Sequence, residues 1–265
     1  MKTIGMIVPT TDNSFFSSLA HEVTRKMKEL GYRVMIMDSG NDAETEKDYL
    51  TSEVSGFIDI SGLKEVPELK VPTVFADRKP ESLKPIYHIA NDDEQAMKEA
   101  AEYLLEKGCR NIVLMPGYIA EQQDNPRIRG YRRALEEAGL EFDETNVITR
   151  QGTASSELET AELVLNRMRE GKKIDGIITS SDRAAFGALR ALGSVGLYVP
   201  EDVKLISFDN SPYSSMASPS ITSIDRNPKF MAEKACETLI ALMEGKPAET
   251  EQIIPVSLVK RDSTR

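Results

Sequence analysis

The chain has 265 residues, 40% hydrophobic and 29% charged, with a formal charge of -10. That length suits two modest cores, and the acidic balance argues against nucleic-acid binding by this chain itself, because phosphate binding needs a basic face. No apolar run approaches the span of a membrane helix, and Met1-Lys2-Thr3 runs straight into a strand with no leader, so the chain is expected to be cytoplasmic, with no membrane partner. Cys109 and Cys236 lie in helix-like stretches and read as buried thiols. His21 and His88 are too few and too far apart for a metal centre, and no metal or cofactor is expected.

Short apolar runs alternate with amphipathic stretches, the pattern of βαβ units on a parallel sheet. In the first part strands are predicted at 3–8, 33–37, 56–60 and 73–76. Helices are predicted at 14–30, where Phe16, Leu19, Ala20, Val23, Met27 and Leu30 recur every three or four residues, and at 44–53. The pattern restarts at Asn91 or Asp92, which can cap a helix reaching Glu106. Strands follow at 111–115, 147–149, 176–179, 204–208 and 253–259, with helices at 127–138, 157–169, 184–195 and 230–243. Nine or ten strands strain one open sheet, so two sheets are expected, with one large doubly wound sheet as the alternative. The subdomains are expected to be 1–88 with 227–249, and 89–226 with 250–265.

Ligands of open parallel sheets bind beyond the C-terminal strand ends. Those ends carry Thr10, Thr11, Asp12, Asn13, Asp38, Ser39, Ser61, Asp77 and Arg78 in the first half. In the second half they carry Gly117, Arg150, Gln151, Ser181, Asp182, Asp209 and Asn210. If the two sheets face each other across these edges, the residues line one cleft.

From Gly176 onward the wording becomes specific. Ser181-Asp182, Ala185-Phe186-Gly187, Tyr198-Val199-Pro200-Glu201-Asp202-Val203, Phe208-Asp209-Asn210 and Pro219-Ser220-Ile221-Thr222-Ser223-Ile224 follow in order. Arg127-Ile128-Arg129-Gly130-Tyr131 precedes them, and Leu258-Val259-Lys260-Arg261-Asp262-Ser263 closes the chain. Together they resemble the lactose/galactose repressor (LacI/GalR) family over essentially the whole chain. The Phe-Asp-Asn-Ser and Ser-Ile-Asp-Arg-Asn wording resembles sucrose- or ribose-type regulators more than lactose-type ones.

The resemblance implies an α/β fold of the type I periplasmic-binding-protein kind: two doubly wound parallel-sheet subdomains with a ligand cleft between them. It implies a sugar-sensing core of a transcriptional repressor, a homodimer that meets operator DNA only through an upstream helix-turn-helix. The chain opens on the first core strand without that segment and is expected to be an excised core. Two rivals are a transporter's solute-binding protein, which needs an export signal, and a core that reads a protein co-repressor. The second predicted helix is about a turn shorter than is usual in the family.

Sugar hydroxyls need fixed planar partners. By the resemblance Asp209 accepts from two hydroxyls, its alternative being a turn cap, and Arg127 donates a forked pair, its alternative being a solvated helix-start arginine. Arg129 is the internal control. Asp77 reaches effector in relatives, or pairs with Arg78 instead. Ser181 stands where the family usually has Asn, which shortens the subsite, and Asp182 is expected to cap the next helix. Arg226 closes over ligand or braces the crossover. Phe15 stacks on a sugar face or packs in the core, and Thr10 and Asn13 are first-loop contacts by position. Asp92-Asp93 is explained by the helix macrodipole. No phosphate loop, nucleophile elbow or acid–base pair is present, so no enzyme is expected.

Overall fold

The computed structural model describes residues 2–62, 65–80, 85–117, 125–149 and 156–265; Arg150 and Gln151 lie outside them. The elements begin β1 (Thr3–Val8), α1 (Ser14–Glu29), β2 (Arg33–Asp38), α2 (Ala43–Tyr49), β3 (Phe57–Asp59), β4 (Thr73–Ala76) and β5 (His88–Asn91). Next come α3 (Asp93–Glu106), β6 (Ile112–Met115), α4 (Pro126–Glu137), α5 (Ser156–Arg169), β7 (Gly176–Thr179) and α6 (Asp182–Ser194). The series ends with β8 (Lys204–Phe208), α7 (Pro212–Met216), β9 (Thr222–Asp225), α8 (Pro228–Met243), β10 (Glu251–Ile254) and β11 (Ser257–Val259).

Two compact units result: Met1–Asn91 with Asn227–Pro255, and Asp92–Arg226 with Val256–Arg265. The first holds a six-stranded sheet ordered β10-β5-β4-β3-β1-β2, with every pair parallel. The second holds a five-stranded sheet ordered β11-β9-β8-β7-β6, parallel except for β11 against β9. The fold is thus α/β, with one all-parallel and one parallel-dominated sheet.

Three expectations need correction. The strand expected at 253–259 breaks at Pro255, which supplies no N–H to continue a ladder; β10 joins the first sheet and β11 the second. Residues 89–91 and 250–255 accordingly go with the first unit, not the second. The strand expected at 147–149 is a single bridge, Val147 to Leu114, after a 3-10 turn at Glu144–Asn146.

Strand alternation builds the first core. Ile4, Met6, Val8, Ile58 and Ile60 meet the buried stripe of α1 (Phe16, Leu19, Ala20, Val23, Met27) and the Met231, Ala235 and Leu239 face of α8. Ile7 and Phe57 turn the other way, onto Met37 and Leu50. Asn13 starts α1 by accepting from the N–H groups of Phe15 and Phe16 at 2.9 and 3.2 Å.

In the second unit α3 and α4 cover one sheet face through Met97, Leu104, Ile128, Tyr131 and Leu135, while α5 and α6 cover the other through Val164, Ala185, Ala188 and Leu192. Gly130 and Gly187 permit these helix pairs. A Cβ at 130 would lie 2.0 Å from the Glu94 carbonyl oxygen, and one at 187 would lie 2.1 Å from that of Glu157. Cys109 and Cys236 are buried free thiols, and burial raises their pKa to about 11 and about 12 respectively. Among the described residues no helix is long and apolar enough to cross a membrane.

Candidate functional site

Polar groups collect at the C-terminal strand ends of each sheet. In the first unit Asp38, ending β2, accepts from the Thr11 N–H and hydroxyl at 2.8 Å each and from the Gly40 N–H at 3.0 Å. Burial opposes its charge, but these donors outweigh it and lower its pKa. The Thr10 hydroxyl accepts from the Asp12 N–H at 3.1 Å. Asn13 spends its side-chain oxygen on the α1 cap.

Phe15 is 2% exposed, belongs to the first unit's core cluster and meets Phe16 edge-on at 5.8 Å, which favours its core reading. Asp77 follows β4 in a left-handed conformation, φ 67°. Arg78 donates to the Ser61 carbonyl at 2.8 Å and lies over the Phe16 ring at 5.7 Å. Below them Asp59, fully buried, accepts from the Ser61 N–H and hydroxyl. Burial and then the Glu46 charge push the Asp59 carboxyl up to about 7.

The second unit holds the denser constellation. The close approach at Gly130 seats the first turn of α4 on the first turn of α3. Arg127 Nε there donates to Asp93 Oδ2 at 2.9 Å. The same guanidinium lies 4.2 Å from the Phe208 ring centroid and donates to the Ser180 carbonyl at 3.5 Å. Arg129, one face round, pairs instead with Glu94 at 2.7 Å and is half-buried.

Asp209 follows β8 with φ 98°, a backbone region that L-residues rarely occupy and that costs roughly 1–3 kcal/mol. Such strain persists where the surroundings hold it. Arg226, 5% exposed at its side chain, reaches Asp209 with Nη1 3.7 Å from Oδ1. Burial would raise the Asp93 pKa, but Arg127 and then Arg226 outweigh it and lower it.

Asp182 does not cap α6 as expected. Ser181 caps α6, its hydroxyl accepting from the Ala184 N–H at 3.2 Å. Asp182, fully buried, accepts from the hydroxyls of Ser207, Ser223 and Ser211 and from the Ser211 N–H. It ties β8, β9 and the start of α7 around the turn that carries Asp209. Burial raises its pKa against these bonds. Asn210 is braced beside it, its oxygen accepting from Arg261 at 2.6 Å.

Arg127, Asp209 and Arg226 thus gather in one unit, whereas Thr10, Asn13, Phe15 and Asp77 belong to the other. Asp93 is the member that sequence reasoning missed. Asp92 is the cap, accepting from the Gln95 N–H at 2.9 Å, which leaves Asp93 free to turn sideways onto Arg127. The doubled acid at the start of α3 is the available signal, since one helix start needs one cap. No described group of three His, Cys, Asp or Glu is arranged to hold a metal.

A model of the periplasmic binding protein-like domain matches residues 101–264. The chain belongs to that family. This LacI-type domain is 28% identical over 271 residues to the ribose operon repressor of Halalkalibacterium halodurans, covering 99% of this chain and 79% of the relative. It superposes on the crystal structure of the transcription regulator CcpA of Lactococcus lactis with a TM-score of 0.88 at 25% identity, covering all of both chains. It also superposes, at 0.86 and 27% identity over all of both chains, on a periplasmic binding protein/LacI transcriptional regulator from Alkaliphilus metalliredigens complexed with D-xylulofuranose. The LacI-type domain is therefore the effector-binding part of a transcriptional regulator, and its relatives are regulators, not enzymes.

Proposed function

We propose that the LacI-type domain senses a small sugar, and that binding shifts its conformational equilibrium and with it the DNA affinity of the whole repressor. The observation that carries this reading is the constellation of Arg127, Asp93, Asp209 and Arg226 at one end of the second sheet. Carboxylates and guanidinium planes are the groups that satisfy paired hydroxyls, and the rare backbone conformation of Asp209 supports a role for its side chain there. Asp77, Thr10, Asn13 and Ser181 are further proposed contacts. The D-xylulofuranose in the Alkaliphilus relative and the name of the ribose operon repressor support the ligand class.

Such a sensor needs a coupling of about 1–3 kcal/mol between effector and operator. Isothermal titration against free sugars and disaccharides is the test. Binding in the micromolar to millimolar range is expected, and a folded sample that gives no heat with any of them overturns the reading.

We also propose that the domain forms a homodimer. β2 is an edge strand of the first sheet, and its neighbouring residues Met35 and Ile36 are 41% and 46% exposed. An unpaired edge with apolar side chains on both faces is what a second copy covers. Sedimentation velocity at rising concentration reads this out.

A further inference from the structure

Among the described residues, the second unit's constellation pairs two guanidinium groups with two carboxylates. The inference rests on the sugar-sensing reading. Arg127 and Arg226 bring two positive charges, and Asp93 and Asp209 bring two negative ones. All four side chains are largely or wholly removed from water, between 4% and 20% exposed. Arg127 spends Nε on Asp93 and lays its plane on Phe208, while Arg226 faces Asp209. An anionic ligand group would have to draw a guanidinium away from its carboxylate, leaving that carboxylate buried without a counter-charge. A phosphate dianion also carries acceptors only and would stand beside two carboxylates.

Asp93 adds a positive requirement. Its Oδ2 accepts from Arg127, but its Oδ1 is buried and accepts from no donor among the described residues. A buried carboxylate oxygen left without a donor is costly, so a group that donates to it is favoured. A hydroxyl donates to it, whereas a phosphate or carboxylate group placed there does not, so a charged sugar is restricted to poses that turn a hydroxyl towards Asp93 and its anionic group against the paired carboxylates. Asp182 cannot substitute, because its two oxygens already accept four bonds inside the fold.

We propose that the effector is an uncharged polyhydroxy compound, a free sugar or sugar alcohol, with one hydroxyl donating to Asp93 Oδ1, and that the site rejects phosphorylated and acidic sugars. Asp93 is in this view a specificity-determining residue.

The test is isothermal titration with matched pairs: D-ribose, D-fructose, D-glucose and D-xylulose, each against its terminal phosphate ester. The expected result is binding of at least one free sugar with its phosphate at least tenfold weaker. A phosphate ester that binds as tightly as its parent, or tighter, overturns the inference while leaving the sugar-sensing reading intact. Binding of neither class overturns both. Asp93→Asn supplies the second arm, because it keeps the shape and removes one negative charge. In a variant whose circular dichroism matches wild type, affinity for the free sugar should fall at least tenfold and the preference over the phosphate should narrow. Unchanged affinity and preference in D93N would overturn the role of Asp93.

Discussion

Gly130 of α4 and Glu94 of α3 approach so closely that a methyl group on Gly130 would lie 2.0 Å from the Glu94 carbonyl oxygen. The contact is backbone against side-chain space, so no rotamer change relieves it. It sits within one helical turn of both Arg127 and Asp93, and it sets the distance at which those two side chains meet.

Gly130→Ala should therefore damage both fold and site. Forced separation of α3 and α4 costs on the order of 1–3 kcal/mol, the range seen for overpacking. The expected outcome is a lower melting temperature together with weaker sugar binding. Ala in place of Gly193, which has open space at its Cβ position and lies near the end of α6, should be neutral or slightly stabilising in the same melting assay.

Asp59 makes the first unit sensitive to pH. Its carboxyl is raised to about 7 in the folded chain, against about 4 in an unfolded one. Between those values the folded state binds the proton and the unfolded state does not, so stability falls as pH rises through that window and levels off above about 7. Asp59→Asn keeps an acceptor for Ser61 and removes the charge beside Glu46. It should raise stability at pH 8 by about 1–3 kcal/mol and have much less effect at pH 4.5. Denaturant melts at the two pH values check this, and equal effects at both would refute the assignment.

Arg127 and Arg129 provide an internal contrast. Lys at 127 loses the forked geometry and the stacking on Phe208, so Arg127→Lys should weaken sugar binding roughly ten- to a hundredfold. Arg129 pairs with the partly exposed Glu94 instead of with Asp93, and Arg129→Lys should leave binding within about twofold. Titration with the best free sugar separates the two.

Ile36→Lys tests the proposed dimer. A charge on the exposed edge strand blocks pairing and should be tolerated by the monomer fold, because Ile36 is 46% exposed. Sedimentation should show a shift towards monomer with an unchanged melting curve at low concentration.

Much of the site was legible from local signals. Asp209 follows directly on a strand and Arg127 opens a helix behind Asn125 and Pro126, and both positions follow from short-range patterning. The exchange of roles between Ser181 and Asp182 was not legible. Either residue can cap a helix, and the choice depends on Ser207, Ser211 and Ser223, which arrive from other strands to surround Asp182. Phe15 was open to two readings for a similar reason, since helical spacing does not say whether a ring at the first turn ends inside the core or at its edge.

The sequence by itself determined the alternation of strands and helices, the parallel sheets that alternation implies, and the family wording around Arg127 and Asp209, because these depend on neighbours within a few residues. Only the tertiary structure decided that Pro255 divides the last strands between two sheets, that Asp93 turns onto Arg127, and that Arg226 faces Asp209. The first depends on which sheet each segment can pair with on either side of the proline, and the other two on which groups distant in the chain remain to satisfy a buried charge; both are settled by packing.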